Sequence, residues 1–538
     1  MKRRNFLKTT ALATVPLAFN GVPVMASSIL DSSSLEILAN SSLNCGKILV
    51  IIQLNGGNDG LNTVFPLDKW TNLNNARPNI LMNQSQVLPL NNNLTTGLHP
   101  LMPEVKNLYD SGRLMIVQGI SYPNPNYSHF RSNDIMFTAS DSDQSLTSGW
   151  LGRSLNTMYP NYPAAYPNTN MPDPLAIQIG STLPFSLQGP NINMGYNSPD
   201  PNGLLNVINQ ITDPVPASDY GTELAFLRLM KDQSNKYRSV IQSAYNVPLA
   251  STVTYPTANT LGNQLKIVAK LINGGLKTPI YIVNHPKTYD THENQVDTID
   301  RSIGNHAINL SILSKAIGAF QQDLTNMGKS DKVTGMTHSE FGRRIKSNSS
   351  LGTDHGAGAP VIFFGAALNT NPTSVAGTSQ PVPGMIGTSP NLPLNADVND
   401  QVEMQFDFRQ VYSTIMQDWL CMTEAETNQV LNGSFTKLPI FKQTLLSSTN
   451  FESEDNKFVS IYPNPVTNKT INLEFRDVIN STVNIQIFSI QGTSIYNENL
   501  RVDNNNLQLI VNNLNSSGMY ILQVNYNQNK FYKKLIVQ

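Results

Sequence analysis

Two short clusters of acids and histidines have the composition of a metal site. They are Asp290-Thr-His292 and Asp354-His355, each in a polar stretch, with Gly352 and Gly356 flanking the second. Carboxylate oxygens and imidazole nitrogens together suit zinc or another first-row divalent ion. Asx turns would explain the aspartates equally well when each cluster is taken alone. The two clusters together favour a metal.

A third polar cluster, Ser339-Glu340-Phe341-Gly342-Arg343-Arg344, lies between them in the chain. Glu340 would stand at the end of a predicted strand, and arginines are suited to binding an anion. The alternatives are ion pairs for Arg343 and Arg344 and a solvated sheet edge for Glu340. The cluster makes Glu340 and Arg343 site candidates.

A hydroxyl group is available at Ser128, which precedes a predicted helix ending near Ala139. Free backbone amides at a helix N-terminus stabilise an anionic ligand and an emerging alkoxide, so Ser128 is a candidate nucleophile. A role as a simple N-cap is the alternative. The neighbouring His129 could be either a core histidine or a ligand.

The segment Lys47 to Asn62 is an apolar run that ends in glycines, amides and a carboxylate. A run of this kind predicts a buried strand, and reactive groups of open α/β sheets gather where parallel strands end. Asn55, Asn58 and Asp59 are therefore further candidates. A tight Asn/Gly turn is the ordinary alternative.

Strand and helix patterns alternate between about residues 46 and 442. Leu98-His-Pro100 is predicted to open a helix that Gly112 ends, and Leu114 to Ile120 follows as a strand. This alternation predicts a mostly parallel, doubly wound α/β sheet. Residues 159–174 and 369–400 are the predicted long loops.

The N-terminus reads as an export signal, residues 1–26, followed by a leader, 27–45. Arg3-Arg4-Asn-Phe-Leu-Lys8 resembles a twin-arginine signal, with a general secretory signal as the alternative. Cleavage after Ala26 removes four basic residues and no acid, so the formal charge changes from -1 to about -5. That balance argues against a nucleic-acid surface, and no stretch predicts a membrane span.

The only cysteines are Cys45 and Cys421. An oxidising compartment would permit them to form a disulfide, and two unpaired buried thiols are the alternative.

Beyond a predicted linker, residues 443–457, the pattern changes to short alternating strands. Ile471 to Phe475, Val483 to Ile487 and Tyr520 to Val524 alternate with period two, which predicts a small β-sandwich over residues 458–538. Ile461-Tyr-Pro-Asn-Pro465, Gly518-Met-Tyr520 and the basic end near Lys533 resemble the C-terminal sorting domain of type IX secretion cargo. This resemblance implies the type IX machinery as a partner and a cell-surface or extracellular location. A carbohydrate-binding or adhesive module is the alternative.

The main domain carries motifs that look like the exported bacterial family called domain of unknown function 1501. They are, in order, Leu54 to Asn62, Tyr122-Pro123, Ser128-His-Phe130, Gly149 to Arg153, Asp290-Thr-His292, Ser339 to Arg343, Gly352 to Gly356 and Asp407-Phe-Arg409. That family is distantly similar to the alkaline phosphatase and sulfatase superfamily. The resemblance implies an alkaline-phosphatase-like α/β domain over residues 46–442, a hydroxyl or formylglycine nucleophile and two metal positions.

Transfer by order along the chain gives each candidate an implied role. Ser128 falls near the superfamily's nucleophile, and Asn55 or Asp59 falls at its first acid. The implied metal ligands are Asp59, Asp290, His292, Glu340 and His355, with Asn55, Asn58, His129 and Asp354 as other site candidates.

Two departures weaken the analogy. Phe341 occupies the place of a ligand histidine, and Asn55 would stand in place of the first carboxylate, so the second metal position would be incomplete. Neither cysteine lies in a sulfatase nucleophile motif, which disfavours formylglycine chemistry. The leading expectation is a divalent-metal-dependent phosphate or sulfate ester hydrolase; the alternative is a non-catalytic surface protein that binds a glycan or a protein.

Overall fold

The computed structural model describes residues 16–19, 22–25, 46–201, 214–216, 218–249, 251, 253–371, 382–442, 458–476, 481–489, 494–514, 518–526 and 529–537. The predicted leader and linker and Cys45 lie outside these ranges, as does most of the predicted export signal. Cys421 is disulfide-bonded. The chain divides into two compact units, Ser41–Gln443 and Met1–Asn40 together with Thr444–Gln538.

The strands are numbered in chain order. They are Pro16–Phe19 (β1), Val22–Met25 (β2), Ile48–Gln53 (β3), Val64–Pro66 (β4), Leu88–Leu90 (β5), Asn93–Leu98 (β6), Leu114–Ser121 (β7), Ala176–Ile179 (β8), Tyr196–Asn197 (β9), Ile280–Asn284 (β10), Val333–His338 (β11), Gly342–Ser347 (β12), Thr353–Gly356 (β13), Ala359–Phe364 (β14), Met385–Ile386 (β15), Phe406–Asp407 (β16), Val459–Tyr462 (β17), Thr470–Phe475 (β18), Ser481–Ser489 (β19), Ser494–Val502 (β20), Asn506–Ile510 (β21), Gly518–Tyr526 (β22) and Asn529–Val537 (β23).

The α-helices are Trp70–Ala76 (α1), Pro103–Asp110 (α2), His129–Thr138 (α3), Trp150–Met158 (α4), Asp219–Asn246 (α5), Thr260–Asn273 (α6), Asn305–Asn326 (α7), Phe408–Thr414 (α8) and Glu424–Leu431 (α9). Shorter helical turns occur at Gly60–Asn62, Leu67–Lys69, Gln84–Gln86 and Phe185–Leu187, and Ile415–Trp419 continues α8 as a π-helical turn.

A nine-stranded sheet forms the centre of Ser41–Gln443. Its order is β15-β7-β14-β11-β3-β10-β8-β9, with β16 beside β7. All pairings are parallel except those that β14 makes with β11 and β7. The predicted α/β fold around a mostly parallel sheet is confirmed.

Both faces of this sheet are covered because alternate residues of a strand point to opposite sides. Leu49 and Ile51 of β3 belong to a core that includes Leu151 of α4. Val50 and Ile52 belong to a second core that includes Leu265 of α6 and residues of α7. The apolar run seen in the sequence is therefore a strand buried on both sides.

The register of three neighbouring strands positions the candidate site. Gln53 at the end of β3 is paired with Asn284 at the end of β10 and with His338 at the end of β11. Because the three strands are parallel and end level with one another, the segments that follow them leave the sheet side by side. These segments carry three of the polar clusters noted in the sequence.

The predicted start of the helix after Leu98 was wrong. The helix begins at Pro103, because the Met102 amide closes a turn on the His99 carbonyl and Pro103 supplies the first helical position. Gly112, with a φ of 68°, follows its end as expected.

The described residues from 458 to 537 form two antiparallel sheets, β17-β18-β21 and β20-β19-β22-β23. Alternate residues such as Leu473, Ile485 and Leu522 fill one shared core. The predicted small all-β domain is confirmed. Within the described residues, no helix is both long enough and apolar enough to cross a membrane.

The packing of β11 against β14 gives a stability prediction. A Cβ atom added to Gly335 would lie 2.0 Å from Cζ of Phe364, the residue paired with it across the sheet. We expect Gly335→Ala to lower the free energy of unfolding by about 1–3 kcal/mol, measured by denaturant unfolding, because the core ring must move.

The matched control for this prediction is Gly262→Ala in α6, whose added Cβ would make only ordinary contacts of 3.4 Å or more. Equal stability of both variants would contradict the proposed clash.

Candidate metal centre

Two glycines shape the loop after β3 so that other loops can approach it. Gly56 and Gly57 have φ values of +111° and +77°, which strain other residues. A Cβ at position 56 would lie 2.4 Å from the Asp290 amide nitrogen, and one at position 57 would lie 2.3 Å from the Phe341 ring. The Gly56 amide donates to Glu340 Oε1 at 2.8 Å. Glycine at these two positions permits the loops that follow β3, β10 and β11 to contact one another.

Three histidines converge on the carboxylate of Asp290. Asp290 Oδ1 lies 3.2 Å from Nε2 of both His292 and His355, and Oδ2 lies 3.3 Å from Nε2 of His129. The Nε2 atoms of His292 and His355 are 2.9 Å apart. Candidate ligand atoms of His129, Asp290 and His355 all lie within 4.8 Å of one another. The structure thus brings together residues that are more than 200 positions apart in the chain.

The opposite ring nitrogen of each histidine is held by an oxygen. His129 Nδ1 lies 2.8 Å from Glu340 Oε1, and His292 Nδ1 lies 3.1 Å from Asp354 Oδ1. His355 Nδ1 lies 2.7 Å from the Tyr127 carbonyl oxygen. Ionised carboxylates and carbonyls only accept hydrogen bonds, so each Nδ1 must be the donor. In a neutral ring the lone pair is then left on Nε2.

The place where these Nε2 atoms meet the Asp290 carboxylate is a candidate cation site. Three bare lone pairs and a carboxylate repel one another at separations of 2.9–3.3 Å unless a proton or a metal ion lies among them. Neighbouring ligand atoms of a tetrahedral zinc ion lie roughly 3.3 Å apart, as follows from bond lengths near 2.0 Å. Metal-binding histidines also characteristically donate their second ring N–H to a carboxylate or carbonyl. The residues therefore fit a first-row divalent ion.

The carboxylates of the cluster are ionised at neutral pH. Burial by itself would raise the pKa of Asp290, but the Arg343 guanidinium lowers the pKa to about 2. The pKa of Glu340 is also lowered, since hydrogen bonds from His129 and the Gly56 amide outweigh the opposing effect of burial. The hydrogen bond to Glu340 raises the pKa of His129. The negative charge of the Asp290 and Glu340 carboxylates favours a bound cation.

Arg343 occupies a different environment from the one expected for an anion-binding residue. Its side chain is fully buried and donates to Asp290 Oδ1 at 2.6 Å and to the Gly57 and Thr353 carbonyls at 2.8 Å. Further bonds reach the Gly56 and Tyr289 carbonyls. With its donors occupied by the protein, Arg343 orients Asp290 and ties the loops together instead of facing a substrate.

Asp59 lies apart from the histidine cluster in a buried ion pair. Its oxygens accept from Arg77 Nη1 at 2.9 and 2.7 Å, and Gln295 Nε2 donates to Oδ2 at 2.6 Å. Burial would raise the pKa of Asp59, but Arg77 lowers it. The carboxylate expected as a metal ligand is thus neutralised by a cation built into the chain.

The two asparagines of the same loop also lie outside the donor cluster. The buried Asn58 accepts from Thr63 Oγ1 at 3.0 Å and stabilises the loop. Asn55 has an exposed side chain, and its carbonyl accepts from the Tyr289 amide at 2.8 Å.

Ser128 is the exposed N-cap residue of α3, and its side chain makes no capping hydrogen bond. The alternative role as an ordinary capping side chain is therefore not realised. Ser128 stands between Tyr127, whose carbonyl contacts His355, and His129. The hydroxyl is consequently next to the cluster in the chain.

Sequence reasoning left His129 open as a core histidine or a ligand and gave Asp354 no partner. The structure places His129 among the converging nitrogens and Asp354 against His292, while Glu340 contacts His129 instead of joining the donor atoms. The available sequence signal was that each of the three histidines has a hydroxyl or carboxylate residue next to it or close by in the chain. The sequence did not show that the three rings converge, because their convergence depends on the paths of the loops.

Two family models match parts of the chain. Residues 266–433 match the protein of unknown function DUF1501, and residues 460–538 match a secretion system C-terminal sorting domain. Both sequence resemblances are confirmed. The sorting domain indicates a type IX cargo protein, exported to the cell surface or the extracellular space and interacting with that secretion system. No curated protein matches the chain significantly.

Solved structures give weaker likenesses. The PsFucS1 sulfatase from Pseudoalteromonas sp. is 10% identical, with 94% of this chain and 92% of that chain covered and a TM-score of 0.31. An alkaline phosphatase superfamily protein from Vibrio parahaemolyticus is 9% identical, with 90% and 93% covered and a TM-score of 0.30. Latent PorU from Porphyromonas gingivalis is 18% identical over 15% of this chain and only 9% of its own, with a TM-score of 0.13. TM-scores this low support no inference about the chemistry of this chain.

The position of Asp59 gives a prediction that separates structural from metal-binding carboxylates. We expect Asp59→Asn to lower the free energy of unfolding by about 3–5 kcal/mol, because Arg77 is left buried without its counter-charge. Metal content per folded molecule should equal that of the wild type. Denaturant unfolding and elemental mass spectrometry measure the two quantities.

The exposed Asp143→Asn is the control and should change neither stability nor metal content. Loss of metal by Asp59→Asn at unchanged stability would show that Asp59 is a ligand after all.

Proposed function

We propose that this protein is an exported, metal-dependent hydrolase of phosphate or sulfate esters. The observation that carries the proposal is the convergence of three Nε2 atoms on the Asp290 carboxylate, with each Nδ1 bonded to an oxygen. Such a preorganised set of nitrogen and oxygen donors at the strand ends of an α/β sheet is suited to ester chemistry on an anionic group. The sorting domain provides the route out of the cell.

His129, Asp290, His292 and His355 would hold the ion, with zinc as the first candidate. A bound divalent ion lowers the pKa of an attacking oxygen and stabilises the charge on the transferring group. Glu340 and Asp354 act as positioning residues because each fixes the ring of one histidine. Arg343 does the same for Asp290.

Ser128 is the proposed nucleophile. Its Oγ would form a bond to the phosphorus or sulfur atom while the bond to the ester oxygen breaks, and the serine proton would pass to the departing alcohol. Water would then hydrolyse the seryl ester and release the inorganic anion. The N-terminal amides of α3 supply positive potential where the transferred group carries negative charge.

A second candidate is a non-catalytic surface protein that binds a glycan or a protein. The Asp59–Arg77 ion pair favours it, because a carboxylate that would help to build a second metal position is occupied by a guanidinium. This candidate predicts metal binding without ester turnover.

The first prediction from the proposed function concerns metal content. We expect one first-row divalent ion per wild-type molecule and at least a tenfold lower content in both His292→Ala and His355→Ala, measured by elemental mass spectrometry after metal reloading. Glu293→Ala removes an exposed neighbouring carboxylate and should leave the content unchanged. Wild-type protein that stays metal-free after reloading would contradict the proposal.

The second prediction concerns the nucleophile. We expect Ser128→Ala to lower kcat for 4-nitrophenyl phosphate or sulfate by a factor of roughly 100 or more, because the covalent route is lost, while metal content is retained. The exposed Ser349→Ala is the control and should retain full activity. Full metal content with no turnover of any ester in a broad panel would favour the non-catalytic candidate.

A further inference from the structure

A cavity of about 390 Å³ lies beside the proposed metal centre. Its walls come from the ends of β3 and β10, from α3 and from the turn Phe185–Leu187. Asn55 and Phe130 line it, and each is the direct chain neighbour of a residue that contacts the cluster: Gly56 binds Glu340, and His129 is a candidate ligand. This volume lies within the roughly 300–1,000 Å³ typical of small-molecule sites.

One side-chain amide at this cavity has unused hydrogen-bonding capacity. Asn284 lines the cavity, and within the described residues its buried Oδ1 atom has no hydrogen-bond partner. Buried amide oxygens are rarely left unpaired, so this position suits a hydrogen-bond donor of a polar ligand.

Aromatic rings provide a second kind of surface. Phe130 is 90% exposed and Phe185 is 39% exposed, and both line the cavity. Rings that are this exposed do not pack inside the hydrophobic core. A large apolar face next to polar groups in a cavity is suited to a ligand that has both a polar edge and an apolar face.

The side chains that line the cavity do not favour an anion in its interior. None of its lining residues within the described part of the chain is Lys, Arg or His. Its one carboxylate, Asp134, forms an ion pair with Arg131. A phosphate or sulfate group would therefore remain at the metal centre, and the part of the ligand inside the cavity would be neutral.

We infer that this cavity is a subsite for a neutral sugar residue, and that the ester substrate is a carbohydrate whose uncharged part is held there. Hydroxyl groups of the ring would bond to Asn284 and neighbouring amides, and the C–H face of the ring would stack on Phe130. This inference rests on the proposed function for the role of the bound sugar, but the binding itself does not require turnover.

The test uses the full mature protein and a defined panel of neutral oligosaccharides: xylohexaose, laminarihexaose, cellohexaose, mannohexaose and N-acetylchitohexaose. Isothermal titration calorimetry should detect binding of at least one of them. Phe130→Ala and Asn284→Ala should each weaken that binding at least tenfold. The control Leu94→Ala removes an equally exposed apolar side chain, 93% exposed, on β6 and should bind as the wild type does.

The outcomes distinguish this inference from the hydrolase proposal. Binding that persists in His355→Ala and depends on Phe130 supports the subsite even if the protein hydrolyses no ester. Absence of binding across the panel, or equal affinity in Phe130→Ala and Leu94→Ala, overturns the subsite even if metal-dependent ester turnover is found. Since Phe130 is almost fully exposed, its replacement should leave folding intact, which circular dichroism would verify.

Discussion

The repulsion among three imidazole nitrogens and one carboxylate is the constraint on which this site depends. Each histidine ring is fixed through Nδ1, so its Nε2 lone pair cannot turn away from Asp290. The buried guanidinium of Arg343 offsets part of the negative charge and joins Asp290 to the carbonyls of two other loops. The negative charge that remains favours a cation among the nitrogens, as the proposed metal centre requires. The fold thus brings the candidate ligands together before any ion is bound.

The central sheet makes this assembly possible. Parallel pairing in register brings Gln53, Asn284 and His338 level, so three loops start from neighbouring points. Gly56 and Gly57 then allow those loops to approach more closely than side chains would permit. The same strand ends and helix α3 form both the candidate metal centre and the adjoining cavity. The candidate metal centre and the cavity are thus built from one structural feature.

The Asp59–Arg77 pair shows that a role transferred by order along the chain must still be weighed against the residue's tertiary contacts. Order along the chain made Asp59 a metal ligand, since it follows the first strand of the sheet. In the structure its charge is satisfied by Arg77 and Gln295 in a fully buried setting. Breaking a buried ion pair is strongly destabilising, so this contact favours a structural role for Asp59. Within the described residues, the histidine nitrogens and the Asp290 carboxylate form one candidate donor cluster.

The sequence by itself determined the fold class and the C-terminal β-domain, and it named Asp290, His292 and His355 among the metal-ligand candidates. Apolar runs and period-two alternation depend only on which faces are buried, and residue types such as Asp290, His292 and His355 carry their ligand chemistry with them. Tertiary structure alone decided that His129 joins them, that Glu340 and Asp354 hold rings and that Arg343 faces inward. These roles depend on loop paths and on contacts between residues 53 to 211 positions apart, which no local pattern encodes.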